Sequence, residues 1–403
     1  MIDLSDAISL LEQAISPLPA RRQRLLDACG QTLSAPVIAD IDSPPWDRAM
    51  MDGFALRSDD VHASTGESIE LDIVIDLAAG DVTGLSIKPG SCARIMTGAP
   101  IPKGADAVIP VEAVIGNPKS KHAGMKVRLQ TDGFRSGQHV GKRGSAFHSG
   151  QEVLKDGTIL QAAGIGLAAE SGATHVEAFP RVRVAILSTG SELVEPDTVP
   201  EFGQIRNSNG PMMTAAVQLL GAEPIPMGIS SDKPEAIRAA VAQGLAADIL
   251  VLSGGVSAGD LDLVPDIFRL CGIKKVFHKV RLKPGKPVYF GLFQQHTRPS
   301  TLVFGLPGNP ASSLVCFELF VRPAIQGLSG KPQKEWHFPR SKARLTAPVK
   351  APSGRPVFLP CVICKKSNEV TPLPWTGSSD LIGLAMGNGF IALPANSGCH
   401  EVG

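Results

Sequence analysis

The sequence predicts a multi-domain α/β protein in which a doubly wound, mainly parallel α/β domain is accompanied by β-rich parts. Two observations predict this fold class. Strand-like apolar runs alternate with helical segments over residues 181–330, which is typical of a parallel sheet covered by helices on both faces. The chain has 403 residues, 43% of them hydrophobic and only 19% charged, so it is long and apolar enough for two to four domains.

The α/β segment is recognised from short apolar runs with helical stretches between them. Predicted strands cover 181–188, 223–228, 248–253 and 301–306. Parallel strands need long crossover connections, and helical texture fills the intervals where such connections are required. The predicted helices cover 211–221, 234–246, 263–272 and 311–325.

The amino-terminal segment has a helical pattern of its own. Leu4, Ile8, Leu11 and Ile15 recur at helical spacing, which predicts an amphipathic helix that ends just before Pro17.

The remaining segments read as β-structure. Short apolar runs between Gly and Pro turns predict a β-rich module over about 40–140, and we expect the stretch 152–170 to pair back with the start of the chain. The predicted domains are a discontinuous linking domain (1–45 with 140–180), an inserted β-rich domain (46–139), the α/β domain (181–330) and a C-terminal β domain (331–403).

Charge and composition exclude several classes of protein. With 39 basic and 38 acidic residues the net charge is +1, without the basic excess of a nucleic-acid-binding protein. No run approaches the roughly 20 apolar residues of a membrane span, and the amino terminus is unlike a secretory signal. Seven scattered cysteines suit a reducing compartment, so we expect a cytoplasmic protein.

Loops of small residues follow three predicted strands, at 188–192, 253–260 and 306–310. Ligands of open α/β sheets bind beyond the carboxyl ends of the strands, and glycine lets backbone N–H groups approach an anion closely. Tight strand-to-helix turns alone also explain one such loop, but three together favour a phosphate or oxyanion site. The candidate binding residues are Ser188, Gly190, Ser253, Gly254, Gly255 and Ser257.

Carboxylates accompany these loops, namely Glu192, Asp232, Asp260, Asp262 and Asp266. Acidic groups beside a phosphate site repel the ligand unless a divalent cation lies between them, so the pattern implies Mg²⁺. Each acid taken singly is better explained as a helix cap or a solvated side chain.

Three lysines, Lys279, Lys283 and Lys286, follow in the same domain. Lys279 and Lys283 are four residues apart, so in an extended strand both side chains would face one side and could bind one anion. A solvated edge strand would have the same pattern.

Two rival motifs point to other chemistry. Residues 255–259 fit G-x-S-x-G, the nucleophile elbow of serine hydrolases with Ser257 as nucleophile, but the helix that should follow at once is delayed. Cys361-x-x-Cys364 has no second pair, which disfavours zinc and favours an alternating strand.

Ordered motifs along nearly the whole chain resemble one family. Residues 44–55 are similar to P-x-F-D-x-S-x-M-D-G-[FY]-A, and residues 94–112 to R-I-x-T-G-A-P…G-A-D-x-V…E, both of the MoeA family of molybdopterin molybdenumtransferases, which is related to the gephyrin E domain. The stretches STGSEL, IRNSN, SGGVSAGDLD, KPGKP and LPGNPASS match in the same order, as do Gly354-Arg355 and Gly377-Ser378.

The resemblance implies a four-part, homodimeric subunit whose last domain is β-barrel-like. It implies a transferase of molybdenum cofactor biosynthesis that inserts molybdenum from molybdate into adenylylated molybdopterin and releases AMP, with Mg²⁺. It also implies molybdopterin adenylyltransferase and molybdoenzyme chaperones as partners.

The resemblance further implies a set of site residues. Asp52 and Thr97 would come from the neighbouring β-rich part, across the dimer. Glu192, Asp232 and Asp262 would bind the cation or molybdate. The remaining implied ligand-binding residues are Lys279, Lys283, Lys286, Pro307, Pro310, Arg355 and Ser378.

One segment departs from the family pattern N-[IV]-R-x-x-G-x-D. Gly141 replaces the arginine and Ala146 replaces the acid, and Ala49 stands where serine is usual. The departure motivates a second hypothesis, a catalytically impaired paralogue that binds molybdopterin or serves as a scaffold. Adenylylation of molybdopterin from ATP is a third hypothesis, and the serine hydrolase a fourth.

Overall fold

The computed structural model of the chain describes residues 1–117, 121–256, 263–295, 298–351 and 354–403. Within these ranges no helix has both the length and the apolar character needed to cross a membrane. The described residues form a multi-domain α/β structure with one six-stranded sheet, one five-stranded sheet, one four-stranded sheet and several two-stranded ribbons.

The chain begins with the predicted amphipathic helix. Helix α1 (Leu4–Ala14) ends at Ile15, which confirms the predicted end before Pro17. Its buried residues Ala7 and Leu11 pack into the largest core cluster, which belongs to the six-stranded sheet. Two short strands follow, β1 (Arg21–Arg24) and β2 (Val37–Ile38).

The β-rich module comes next. It also contains one short helix, which the sequence pattern did not predict. The five-stranded sheet has the order β7-β4-β6-β5-β8, and β3 pairs with β9 beside it. Apolar side chains on the two faces of this sheet form two separate core clusters. The elements are β3 (Arg48–Ala49), β4 (Gly53–Leu56), α2 (Ser58–Ala63), β5 (Ser68–Leu77), β6 (Ser91–Ile95), β7 (Ala107–Pro110), β8 (Lys126–Gln130) and β9 (Val140–Gly141).

After this module the chain returns to its own start. It forms β10 (Glu152–Leu154), α3 (Ala162–Glu170) and β11 (His175–Ala178). Strand β10 pairs antiparallel with β2, and β11 pairs antiparallel with β1. The predicted pairing with the start of the chain is therefore confirmed for Glu152–Leu154, whereas Ala162–Glu170 form a helix.

Two carboxylates join the segment that enters the β-rich module to the segment that leaves it. Asp42 accepts hydrogen bonds from the Ser149 N–H at 2.8 Å and from Arg143 Nε at 2.6 Å. Asp47 accepts from Lys142 Nζ at 2.8 Å and from the Arg143 N–H at 2.9 Å. The Ser149 N–H and the Arg143 guanidinium hold the pKa of Asp42 below its usual value.

Asp42→Asn is expected to lower the Tm near neutral pH, and the difference from the wild type should shrink in acid. Because the folded-state pKa of Asp42 is depressed, its stabilisation is present above the unfolded pKa of 3.8 and is lost as the pH falls through the lower folded value. Thermal unfolding of both proteins between pH 7 and pH 3 tests this. A difference that is constant with pH would contradict it.

The α/β domain forms the six-stranded sheet in the order β15-β12-β16-β19-β18-β17. Strands β15, β12, β16 and β19 run parallel to one another. Strand β18 pairs antiparallel with β19, and β17 pairs antiparallel with β18. The mainly parallel sheet is therefore confirmed. Strand β18 was not predicted. The elements are β12 (Arg183–Thr189), β13 (Leu193–Val194), β14 (Ile205–Arg206), α4 (Asn209–Leu219), β15 (Glu223–Ser230), α5 (Pro234–Gly244), β16 (Ile249–Ser253), α6 (Val264–Leu270), β17 (Lys274–His278), β18 (Tyr289–Phe293), β19 (Thr301–Leu306), α7 (Pro310–Cys316), a π-helical turn (Phe317–Val321) and α8 (Arg322–Leu328).

Helices cover both faces of this sheet. Along β12, Val184 and Ile186 point into a core with α1, α4, α7 and α8, whereas Ala185 and Leu187 point into a core with α5 and α6. Successive side chains of a strand alternate between faces, so a continuous apolar run indicates a strand that is buried on both sides. The doubly wound arrangement follows from that pattern.

The C-terminal part is a small β structure around a four-stranded sheet of order β20-β23-β22-β24. Cys361 is buried and Cys364 is exposed on the same strand, so the two thiols do not form a metal-binding pair. The elements are β20 (Arg344–Leu345), β21 (Val349–Lys350), β22 (Val357–Cys364), β23 (Glu369–Pro372), α9 (Ile382–Met386), β24 (Gly389–Leu393) and β25 (Cys399–His400).

Candidate active site

The three loops of small residues meet at one edge of the six-stranded sheet. Strands β12, β16 and β19 are neighbours and parallel, so their carboxyl ends lie side by side. The Gly254 N–H donates to the Leu306 carbonyl at 3.1 Å, and Thr189 Oγ1 donates to the Ser253 carbonyl at 3.4 Å. After β12 the chain continues to β15 on one side of the sheet, and after β16 it continues to β17 on the other side. Open α/β sheets bind ligands at such a point of reversal.

The loop after β16 requires glycine at two successive positions. Gly254 has φ +102°, and a Cβ there would lie 2.4 Å from the Thr189 carbonyl oxygen. Gly255 has φ +60°, and a Cβ there would lie 2.8 Å from a Val264 methyl group. The backbone of one loop therefore packs directly on the next, which leaves the edge narrow and lined by main-chain atoms.

A buried polar cluster lies directly beneath the loops. Ser188 Oγ donates to Asn207 Oδ1 at 3.0 Å, and the Gly210 N–H donates to the same oxygen at 3.0 Å. Ser253 Oγ lies 3.4 Å from Ser188 Oγ. The predicted residues Ser188 and Ser253 are thus brought together, but by a network that includes Asn207, which the sequence analysis did not select.

The described carboxylates occupy two adjacent loops. Asp232 accepts from the Ser191 N–H at 2.8 Å, and Ser191 Oγ accepts from the Asp232 N–H at 3.2 Å. Glu192 follows Ser191, and a Cβ on Gly190 would lie 2.7 Å from its carboxylate. Asp266 instead lies on α6 with its carboxylate 3.6 Å from Arg269 and largely exposed.

Ser257, Asp260 and Asp262 lie outside the described residues. Among the residues that the structure does describe, no three His, Cys, Asp or Glu side chains form a group that could hold a metal. The predicted set of Glu192, Asp232 and Asp262 therefore stays a prediction.

The predicted extended strand through Lys279 and Lys283 is wrong. Strand β17 ends at His278, and Lys279 adopts φ +69°. The Val280 N–H then donates to the Lys286 carbonyl at 2.9 Å, which closes a turn. Gly285, at φ +109°, supplies the conformation that a strand does not allow, so the spacing of four does not place the two side chains on one face.

The C-terminal part docks on the same region through Arg355 and Ser378. Ser378 Oγ accepts from Asn309 Nδ2 at 2.8 Å, and the Ser378 carbonyl accepts from the Ala311 N–H at 3.0 Å. The Arg355 guanidinium donates to the Leu282 carbonyl at 3.4 Å. Both residues are therefore next to segments predicted to bind the ligand, the loop of Pro307 and Pro310 and the lysine-bearing turn.

Asp52 and Thr97 form a pair in the β-rich module rather than at the edge of the six-stranded sheet. Asp52 Oδ1 accepts from the Thr97 N–H at 2.8 Å and from Thr97 Oγ1 at 2.7 Å. These bonds from Thr97, with the positive charge of Arg94, hold the pKa of Asp52 below its usual value. The carboxylate is exposed and is the charged form at neutral pH.

The segment that differs from the family pattern, residues 139–146, lies where the chain leaves the β-rich module. Gly141 pairs with Arg48 between β3 and β9, and a Cβ on Gly141 would lie 3.4 Å from the Arg48 side chain. Ala146 is exposed, and its N–H donates to the Ser43 carbonyl at 2.9 Å. Asp42 and Asp47 both bind the segment around Arg143, so carboxylates lie beside this turn although none is at 146.

Three family models match successive parts of the chain. Family models of the MoeA N-terminal region (domains I and II), of a probable molybdopterin binding domain and of the MoeA C-terminal region (domain IV) match residues 2–172, 185–327 and 342–403.

Relatives and solved structures agree with these matches. The chain is 39% identical over 305 residues to the molybdopterin molybdenumtransferase of Nostoc sp., covering 75% of this chain and 68% of that protein. It is 34% identical over 377 residues to molybdopterin molybdenumtransferase 2 of Mycobacterium tuberculosis, covering 92% and 90%. The crystal structure of a molybdopterin biosynthesis MoeA protein from Pyrococcus horikosii covers 100% of this chain and 97% of its own, with 28% identity and a TM-score of 0.81. The chain therefore belongs to the molybdopterin molybdenumtransferase (MoeA) family.

Proposed function

We propose that this chain is a transferase of molybdenum cofactor biosynthesis that inserts molybdenum from molybdate into adenylylated molybdopterin and releases AMP. The observation that carries the proposal is the narrow edge where three strand-end loops meet, in a chain whose relatives are named molybdopterin molybdenumtransferase. Cleavage of a phosphoanhydride needs positioning and charge neutralisation more than a covalent nucleophile. The backbone-lined edge supplies the positioning, and Lys279, Lys283 and Lys286 are the proposed cations for the anionic ligand.

We further propose that Mg²⁺ binds at Glu192, Asp232 and Asp262. The two described members of this set fit, because both present carboxylate oxygens on adjacent loops at the ligand-binding edge, and hard oxygen ligands suit Mg²⁺. When bound, the cation would neutralise phosphate charge as AMP leaves. The residues themselves hold the loops: Asp232 orders the β12 loop through the Ser191 N–H.

The test is release of AMP from adenylylated molybdopterin by the purified protein, with and without Mg²⁺ and molybdate. We expect release only when both ions are present, and Asp262→Ala should abolish it. If the intact protein releases no AMP and Asp262→Ala behaves identically, the proposal is wrong.

Asp232→Asn is expected to weaken Mg²⁺-dependent AMP release by about tenfold or more, because it removes a charged ligand. The amide oxygen can still accept from the Ser191 N–H, so the loop should keep its place. The measurement is the Mg²⁺ concentration dependence of the rate. Asp266→Asn is the matched control, because that carboxylate is paired with Arg269 on α6 and should leave the dependence unchanged.

The assembly of the subunit is also a proposal. We propose four parts, with a linking part from 1–45 and 140–180, an inserted part 46–139, the α/β part 181–330 and a β-barrel-like part 331–403. We propose a cytoplasmic homodimer in which Asp52 and Thr97 complete the partner's site. Molybdopterin adenylyltransferase, as the source of substrate, and molybdoenzyme chaperones are the proposed protein partners.

A second candidate function is a binding protein or scaffold without turnover. The observation that favours it is the absence of a carboxylate side chain at position 146, where Ala146 is exposed. Tight binding of adenylylated molybdopterin with no release of AMP in the presence of both ions would support this candidate. Normal turnover would exclude it.

A further inference from the structure

Asn209 opens helix α4 at the ligand-binding edge and is only 8% exposed. Its side-chain Nδ2 donates to the Gly308 carbonyl at 2.7 Å, which ties the start of α4 to the loop after β19. The two residues are 99 positions apart in the chain.

The orientation of the Asn209 amide follows from this bond. The Gly308 carbonyl is an acceptor, so the amide nitrogen must face it and the amide oxygen must point elsewhere. That oxygen, Oδ1, is buried, and no described residue donates a hydrogen bond to it. An acceptor that is withdrawn from water without a donor destabilises the folded state, so its retention needs a reason.

The neighbouring asparagine shows that the polar cluster can provide donors for a buried asparagine oxygen. Asn207 Oδ1 accepts from both the Ser188 hydroxyl and the Gly210 N–H. The same cluster therefore satisfies one asparagine oxygen twice and leaves the other without a described donor. The side chain with the unsatisfied oxygen belongs to the residue that joins α4 to the loop of Gly308, where the three strand-end loops converge.

We propose that Asn209 Oδ1 accepts a hydrogen bond from an N–H group of the bound ligand, either a ring N–H or an exocyclic amino group. The inference rests on the proposed function only for the identity of the ligand, because both a pterin and an adenine carry such groups. Because Oδ1 is covered in this structure, a ligand can reach it only if the loop around Gly308 moves. Asn209 thus selects a nitrogen heterocycle at this end of the site.

The experiment measures equilibrium binding of AMP and of molybdopterin, separately, to the wild type and to Asn209→Leu, which has nearly the same shape but neither the acceptor oxygen nor the nitrogen that donates to Gly308. We expect the variant to bind one of the two ligands about three- to tenfold more weakly, as for loss of one neutral hydrogen bond. Weakening of AMP alone assigns the group to adenine, and weakening of molybdopterin alone assigns it to the pterin. Binding does not require turnover, so the result is independent of whether AMP is released from the full substrate.

A ligand-side control makes the assignment specific. Purine riboside 5′-monophosphate lacks the amino group of AMP, so if adenine is the donor, Asn209→Leu should weaken AMP but not this analogue. Asn207→Leu is the protein control: it leaves two satisfied donors without an acceptor and should lower the Tm more than Asn209→Leu does. Unchanged Kd values for both ligands in Asn209→Leu, or a Tm loss equal to that of Asn207→Leu with both ligands weakened alike, would overturn the inference.

Discussion

Gly254→Ala is expected to destabilise the protein by about 3 kcal/mol and to reduce AMP release by about 100-fold or more. The added Cβ would lie 2.4 Å from the Thr189 carbonyl oxygen, and alanine would have to adopt φ +102°. The clash is with backbone, so no side chain can move aside to relieve it. The β12 and β16 loops would separate, and the ligand would lose the edge that positions it. Denaturant unfolding and the AMP-release assay measure the two effects.

Gly308→Ala is the matched control for the stability part of this prediction. It adds the same atom to the third loop, but its nearest neighbour would be Gly254 Cα at an ordinary 3.8 Å. We expect a change in unfolding free energy within about 0.5 kcal/mol. If both alanine variants destabilise equally, the close packing of the β12 and β16 loops is not what requires glycine at 254.

Asp52→Ala is expected to reduce AMP release by about 100-fold while the Tm stays nearly unchanged. The carboxylate is exposed and its partner Thr97 is exposed, so water can replace the lost hydrogen bonds. Asp52→Asn separates two possible reasons for the loss, because the amide oxygen still accepts from the Thr97 N–H and only the charge is removed. The low pKa of Asp52 keeps the carboxylate charged, so we expect no acid limb from it in the pH profile above pH 5.

Two further proteins make the Asp52 prediction specific. Asp76→Asn removes another exposed carboxylate of the same sheet, which accepts from the Ala123 N–H at 3.3 Å, and it should leave the rate unchanged. Mixing inactive Asp52→Ala with inactive Asp232→Ala then tests whether Asp52 acts across a dimer. Random exchange should restore about a quarter of the wild-type activity, because half of the dimers carry one intact site. No recovery after proven subunit exchange would refute the cross-dimer arrangement.

Much of the α/β domain was predictable because its signals are local. The apolar runs at 181–188 and 248–253 are strands buried on both faces, and the helical spacing from Leu4 to Ile15 forms α1. Strand β18 was missed although its five residues, Tyr289–Phe293, form an apolar run directly after the turn at 280–286. The spacing of Lys279 and Lys283 failed as a guide because Gly285 and the turn at 280–286 override a period-2 pattern.

The candidate site was predictable in part. Small residues after three strands correctly indicated loops that meet, because parallel neighbours bring their carboxyl ends together. Local pattern does not identify Asn207 and Asn209 as site residues, although both lie in the IRNSN motif. An asparagine before a helix ordinarily indicates a cap, and Asn207 does accept from the Gly210 N–H at the start of α4. Only the tertiary structure shows that Asn207 also binds Ser188 and that Asn209 binds Gly308.

The sequence by itself therefore determined the class of the sheet, the edge at which its strand-end loops meet and the family, since periodicity and motif order are properties of neighbouring residues. The tertiary structure alone decided which distant segments complete that edge. Ser378 binds Asn309 across 69 positions and Arg355 binds the Leu282 carbonyl across 73, contacts that no local pattern encodes. These hydrogen bonds form only when the C-terminal part packs on the α/β part, because their donors and acceptors are brought together by the packing of whole domains.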